Sequence, residues 1–428
     1  MIKTTTFLKL LLLFCILSCS REPIPTPSNQ PQGIQLPELK VNQVQPKATK
    51  AEVFVQLLEP GNLTVRSYGC LIHTSTDPDL SNNSNNLIRS GAMNTETQFS
   101  FSGLTDNTTY FVRGYIVTSV DTVYSSSYEF KTQPHWRLLS SPYPDGTVSN
   151  TATFTINNQI YVGGGFLNKT GFWQFNPVTE TWTGEAAIIE PMRGLNGLVG
   201  FPINDIGYFG TGTYLSGGTF IHTKSFWSFS KPNGWQQMPD FPGEARAAAV
   251  GFGLMGMGFI GLGDIQTGKT RDFWGYNPST NSWFSIPDFP GGDRTEALAF
   301  VIGDKAYVGF GVDQNNTGIP DLYEFDPAKL DNPWTKITGG ATPPARRSGF
   351  VFVIGNSAYI GGGSGNPGDL WKFTPNASEK WVKFGNLPMG TLSFSTGVSL
   401  GDRGMVVGGR PQTNGGNLTS QCWIFNPE

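Results

Sequence analysis

The chain has 428 residues, with 54 glycines, 13% aromatic residues and only 14% charged ones. A formal net charge of −3 leaves no basic face for phosphates, which argues against a nucleic-acid partner. Glycine-rich, aromatic and charge-poor composition suits short strands joined by tight turns, so the expected fold class is all-β.

Lys3 and Lys9 give the chain a positive start, and Leu8 to Leu17 is an apolar run too short to span a bilayer. The run ends in Ile16-Leu17-Ser18-Cys19, which resembles a bacterial lipobox. That resemblance implies removal of residues 1–18, acyl chains on Cys19 and attachment to a membrane without a transmembrane helix. The expected location is the cell envelope, on the outer membrane of a Gram-negative bacterium. Residues 19–46 carry Pro23, Pro25, Pro27, Pro31, Pro37 and Pro46, a spacing that predicts a stiff, extended tether.

Residues 47–133 read as a small β-sandwich. Strands are predicted at Ala51 to Leu58, Leu63 to Thr74, Phe99 to Phe101, Tyr110 to Thr118 and Tyr124 to Phe130, with a polar loop at Asn82 to Asn86. The run Leu104-Thr-Asp-Asn-Thr-Thr-Tyr110 resembles the fibronectin type III and Ig-like pattern, in which a tyrosine locks a corner of the sandwich. Arg66-Ser-Tyr-Gly-Cys70 resembles a strand of such modules in Bacteroidetes-type surface proteins. The role implied is that of a spacer.

Residues 134–428 are repetitive. Trp136, Trp182, Trp235, Trp283, Trp334 and Trp381 are separated by 46, 53, 48, 51 and 47 residues. A second aromatic series holds Trp173, Trp227, Trp274, Tyr323, Trp371 and Trp423. Each period has an apolar strand ending in glycines, as in Phe259-Ile-Gly-Leu-Gly263 and Tyr307-Val-Gly-Phe-Gly311, then an aromatic strand closed by Asn/Asp-Pro. This pattern resembles the Kelch repeat, which implies a six-bladed β-propeller. Trp136-Arg-Leu-Leu139 has no preceding strands, and the last repeat lacks its tryptophan strand. The two are expected to pair, closing the propeller with N- and C-terminal strands and removing exposed edges.

Candidate chemistry lies in the links between blades. Arg193, Arg246, Arg294 and Arg346 recur there, and four guanidinium groups around a channel mouth would suit a carboxylate, phosphate or sulfate. The competing expectation is that they pair with acids such as Glu244, Asp293 and Glu296. Cys70 and Cys422 read as small apolar filler in separate units, and no CxxC or Cys/His cluster points to a metal. With three histidines, His73, His135 and His222, a galactose oxidase-type copper site cannot be assembled. Asp313 to Asn316 reads as a polar loop tip. No cofactor is implied, and a monomer is expected. The function expected is binding of a glycan or protein partner, an acidic one at the arginine mouth. The alternative is a sugar epimerase or mutarotase resembling N-acetylneuraminate epimerase, with Glu244 or Glu296 moving the proton.

Overall fold

The structure is a computed structural model that describes residues 33–428, apart from 82–84, 167–168, 186–194, 366–367 and 413–415. Its described residues contain strands, turns and one 3-10 turn at Pro327–Lys329, and no α-helix.

The N-terminal part holds two antiparallel sheets. One contains Glu38–Pro46, Lys50–Glu59 and Glu96–Ser102. The other contains Asn85–Ser90, Val65–His73, Thr109–Thr118, Thr122–Tyr124 and Tyr128–Lys131. Both sheets contribute to one buried cluster that includes Val53, Val55, Phe99, Cys70, Val112 and Ile116. Tyr110 is buried, and its hydroxyl accepts from Thr105 N at 3.0 Å.

Three features here differ from the sequence reading. Glu38–Pro46 is an edge strand rather than the end of a tether. Leu39 and Val41 alternate with polar residues and are buried, a period of two that the flanking prolines mask in the sequence. Asn85 and Asn86, read as loop, begin a strand that pairs with Val65–His73. The stretch from Tyr124 to Phe130 is two strands, because the Ser125 hydroxyl accepts from Gly114 N at 3.1 Å and interrupts the ladder.

The remainder forms six four-stranded antiparallel sheets. Their first strands are Ala152–Ile156, Val199–Ile203, Val250–Leu254, Leu298–Ile302, Phe350–Ile354 and Thr396–Ser399. Each first strand neighbours the next, and the last neighbours the first, so the sheets form a closed circle. This arrangement is compatible with a β-propeller. The sixth sheet takes its fourth strand, Trp136–Leu138, from the N-terminal side, where it pairs with Cys422–Phe425.

The sheets are held together by the aromatic series. Trp235 lies 4.8 Å from Phe172 of the preceding sheet, Trp283 lies 4.9 Å from Phe226, and Trp334 lies 5.0 Å from Phe273. Each sheet alone would leave these rings in water; stacking the sheets buries them. Cys70 and Cys422 are buried free thiols in separate cores. Burial pushes the Cys422 thiol up to about 12, so it packs as an apolar atom.

Candidate functional site

Where first strands begin, second strands end, and this end of the circle is built by two belts of backbone hydrogen bonds. In the outer belt the glycine after each second strand donates to the link of the next sheet. Gly165, Gly212, Gly263, Gly311, Gly363 and Gly409 reach the carbonyls of Leu195, Arg246, Arg294, Arg346, Leu392 and Val148 at 2.7–2.9 Å. All six glycines have φ between 82° and 117°. A Cβ on Gly311 would lie 2.5 Å from Thr295 O, so glycine is required both by the turn and by the close approach.

The inner belt runs through the residue two before each first strand: Asn150, Gly197, Ala248, Glu296, Ser348 and Phe394. All six are left-handed, with φ of 48–64°. Ala248 N donates to Gly197 O, Glu296 N to Ala248 O, Ser348 N to Glu296 O, Phe394 N to Ser348 O and Asn150 N to Phe394 O, at 2.7–3.3 Å. Five of these positions carry side chains that disfavour this backbone, at a cost of roughly 1–3 kcal/mol each. The belt and the packing around it hold them there.

The position four before each first strand explains the arginines. It holds Val148, Leu195, Arg246, Arg294, Arg346 and Leu392. Arg246 donates to Asp272 Oδ1 and Oδ2 at 2.5 and 2.9 Å, and Arg294 to Asp321 at 2.6 and 3.1 Å. Arg346 donates to Asp369 Oδ1 at 3.1 Å. Each also bonds the carbonyl of a left-handed residue in its own sheet: Leu262, Phe310 or Gly362. Arg246 and Arg294 stack on Phe241 and Phe289 at 4.5 and 4.7 Å. The three arginines are 0–1% exposed, and none lines the channel mouth. The expectation of an arginine-lined anion site is therefore corrected for Arg246, Arg294 and Arg346: they are clamps within their own sheets. Arg193 lies outside the described residues, and the register puts Leu195 at the clamp position of the second sheet.

The partners differ from those the sequence suggested. Glu244 is exposed and offers Arg246 only its backbone carbonyl, and Asp293 lies beside Arg271. The partners are the acids that open the third strands, each followed by an aromatic residue one or two positions on. Asp272 also accepts from Trp274 Nε1 at 2.9 Å, and Asp369 from Trp371 Nε1 at 2.6 Å. The signal was in the sequence: arginine appears only where the third strand has an aspartate. Sheets with Val148 or Leu195 have Gly171 or Ser225 there, and Trp173 Nε1 and Trp227 Nε1 have no partner among the described residues. Burial raises the cost of charge on Asp272, yet the Arg246 bonds hold its carboxyl below the usual carboxylate range.

The mouth itself is a cavity of about 280 Å³. On the second and third sheets its wall is apolar, with Gly197, Leu198, Ala248 and Ala249. On the fourth, fifth, sixth and first sheets it is polar, with Glu296, Ser348, Ser395, Thr396, Asn150 and Thr151, and with Phe394 among them. The Ser348 hydroxyl donates to Glu296 Oε2. Thr151 Oγ1 and Thr396 Oγ1 lie 2.6 Å apart. Below, the channel is lined by small residues such as Gly200, Gly251, Ala299 and Gly397. Beside the mouth stands a hairpin, Thr213–Ser216 with Thr219–His222, whose Leu215 and Phe220 are exposed.

A larger cavity, about 940 Å³, lies between the N-terminal sheets and the opposite end of the circle. Its charges are mostly paired, with Lys47 on Glu428 at 3.7 Å and Arg403 on Glu180 at 3.2 Å, so the mouth is the better candidate. Asp313 Oδ1 accepts from Asn315 N and Thr317 N of its own loop. His73, His135 and His222 lie apart, on Ser75, Asn426 O and Asp264. Among the described residues no group of three His, Cys, Asp or Glu could hold a metal ion.

No family model matches the chain, and no curated protein matches it. Among solved structures, one titled "Structure of YjhT" matches with a TM-score of 0.57 and 17% identity, covering 67% of this chain and 96% of that one. At this identity the likeness is one of fold, and the fold is compatible with a β-propeller.

Proposed function

We propose that this protein is a six-bladed Kelch-type propeller that binds a glycan at its channel mouth. It is carried on a fibronectin-like module and a lipid anchor at Cys19 in the cell envelope. The repeat of tryptophans and glycine-ended strands supports the Kelch reading. The anchor rests on the sequence around Cys19, which lies outside the described residues.

The observation that carries the binding reading is the left-handed circle of Asn150, Gly197, Ala248, Glu296, Ser348 and Phe394 around one cavity. Strained backbone that presents polar side chains to a cavity is a mark of function. The cavity suits a single small polyhydroxylated group better than a protein surface, which needs a far larger contact area. A plug tests it: Ala249→Trp should fill the mouth and abolish binding on a glycan array, with thermal melting measured alongside to check that the variant folds. Full binding by the plugged protein would place the site elsewhere. Cys19→Ala should move the protein from the membrane to the soluble fraction.

A second reading, a sugar epimerase or mutarotase, rests on Glu296, the carboxylate left at the mouth once the arginines are paired with aspartates. Proton transfer needs one such group within reach of the ring. Turnover of a bound sugar, followed by NMR, separates this enzyme from a binding protein.

A further inference from the structure

We infer that the mouth takes a neutral or amino sugar, with a hydroxyl or ammonium group on Glu296, and rejects acidic sugars; this rests on the mouth being the ligand site. Glu296 is the one ionisable side chain among the described residues that line the cavity. It is half-buried and enters no ion pair among the described residues. The Ser348 hydroxyl donates a hydrogen bond to Glu296 Oε2, so the pair faces the cavity as an acceptor. An ionised carboxylate cannot donate, and it repels an anion in a partly desolvated site.

A second observation points to the same ligand. Ser395 lines the cavity, is 8% exposed, and its Oγ has no partner among the described residues. Native structures rarely leave a buried hydroxyl unmade; the Ser395 Oγ is enclosed as it stands, and rotation about its χ1 would turn it onto a ligand hydroxyl in the cavity. Leu198, Ala248 and Ala249 on the facing wall offer apolar contact, and Phe394 takes part in none of the ring pairs that tie the sheets together. A pyranose has polar edges and C–H faces, which match a polar arc opposite an apolar one.

The experiment uses the purified full chain on an array of matched glucose-, glucosamine-, N-acetylglucosamine-, glucuronate- and sialate-terminated glycans. Wild type should bind neutral or amino sugars and not the two acidic ones. Glu296→Gln should weaken the preferred sugar about ten- to a hundredfold, the loss expected for a charge-assisted hydrogen bond. Ser395→Ala should weaken it several-fold without touching the carboxylate. Thermal melting of each variant checks that it folds. Acidic sugars bound as well as neutral ones, or affinity unchanged in Glu296→Gln, would overturn the inference while leaving the mouth as a site. Wild type that binds none of these sugars would overturn the glycan reading and this inference together.

Discussion

Arg246 and Asp272 show how a side chain that looks functional becomes architectural. Removing one partner of a buried ion pair strands the other, at a cost of about 3–5 kcal/mol. Asp272→Ala should therefore destabilise the protein by about that much in chemical denaturation. The double change Arg246→Leu with Asp272→Ser copies Leu195 and Ser225 of the second sheet and should recover most of the loss. The pair also sets a pH dependence. The folded Asp272 carboxyl titrates below its ordinary value, so its contribution is complete above about pH 3.9 and disappears as pH falls through the lower folded value. The stability gap between wild type and Asp272→Asn should accordingly close on acidification below about pH 4. Gly263 is a simpler case. Its φ is 112°, and a Cβ would lie 2.9 Å from Ala247 O, so Gly263→Ala should cost more than about 1 kcal/mol. Sequence made the glycines legible, because their position after an apolar strand recurs. It made the arginines visible, but their partners show only when repeats are compared, because each aspartate lies 23–27 residues further along.

At the scale of elements, strand period was readable wherever one face met a core. The second strands are buried almost throughout and end where the glycine runs predicted, as in Met257–Gly261 and Lys305–Gly309. Proline density misled at Glu38–Pro46, since proline is tolerated at strand ends and edges. Leu39 is buried there against the N-terminal core. Leu39→Ala should lower the stability of that part by about 2–5 kcal/mol, whereas an unpacked tether would show no change; denaturation followed by N-terminal amide exchange decides. No strand is predicted over the hairpin of Thr213–Ser216 and Thr219–His222. Its Leu215 and Phe220 face solvent, so no core imposed a pattern that could be recognised.

For the whole molecule, closure depends on a short strand. Trp136 lies 4.8 Å from Phe425 and 6.3 Å from Phe352 of the neighbouring sheet. Trp136→Ala should cost about 3 kcal/mol or more, read as loss of cooperative melting of the six-sheet part. The exposed Lys50–Glu428 pair, 2.8 Å apart, sits close by on the surface and should contribute less than about 1 kcal/mol. The pairing of first and last segments was legible because both repeats were visibly incomplete. The polar and apolar arcs of the mouth were not, because they arise from single residues in six separate links.

That closure has a consequence for how the protein is made. Trp136–Leu138 pairs with Cys422–Phe425, so a chain synthesised from its N-terminus must carry Trp136–Leu138 unpaired until Cys422–Phe425 emerges. The ribosome delivers residues at roughly 5–20 per second, leaving the circle open for many seconds with an edge at each end. On the export proposed above, that delay lets the chain be threaded through a narrow pore before its most distant contact locks.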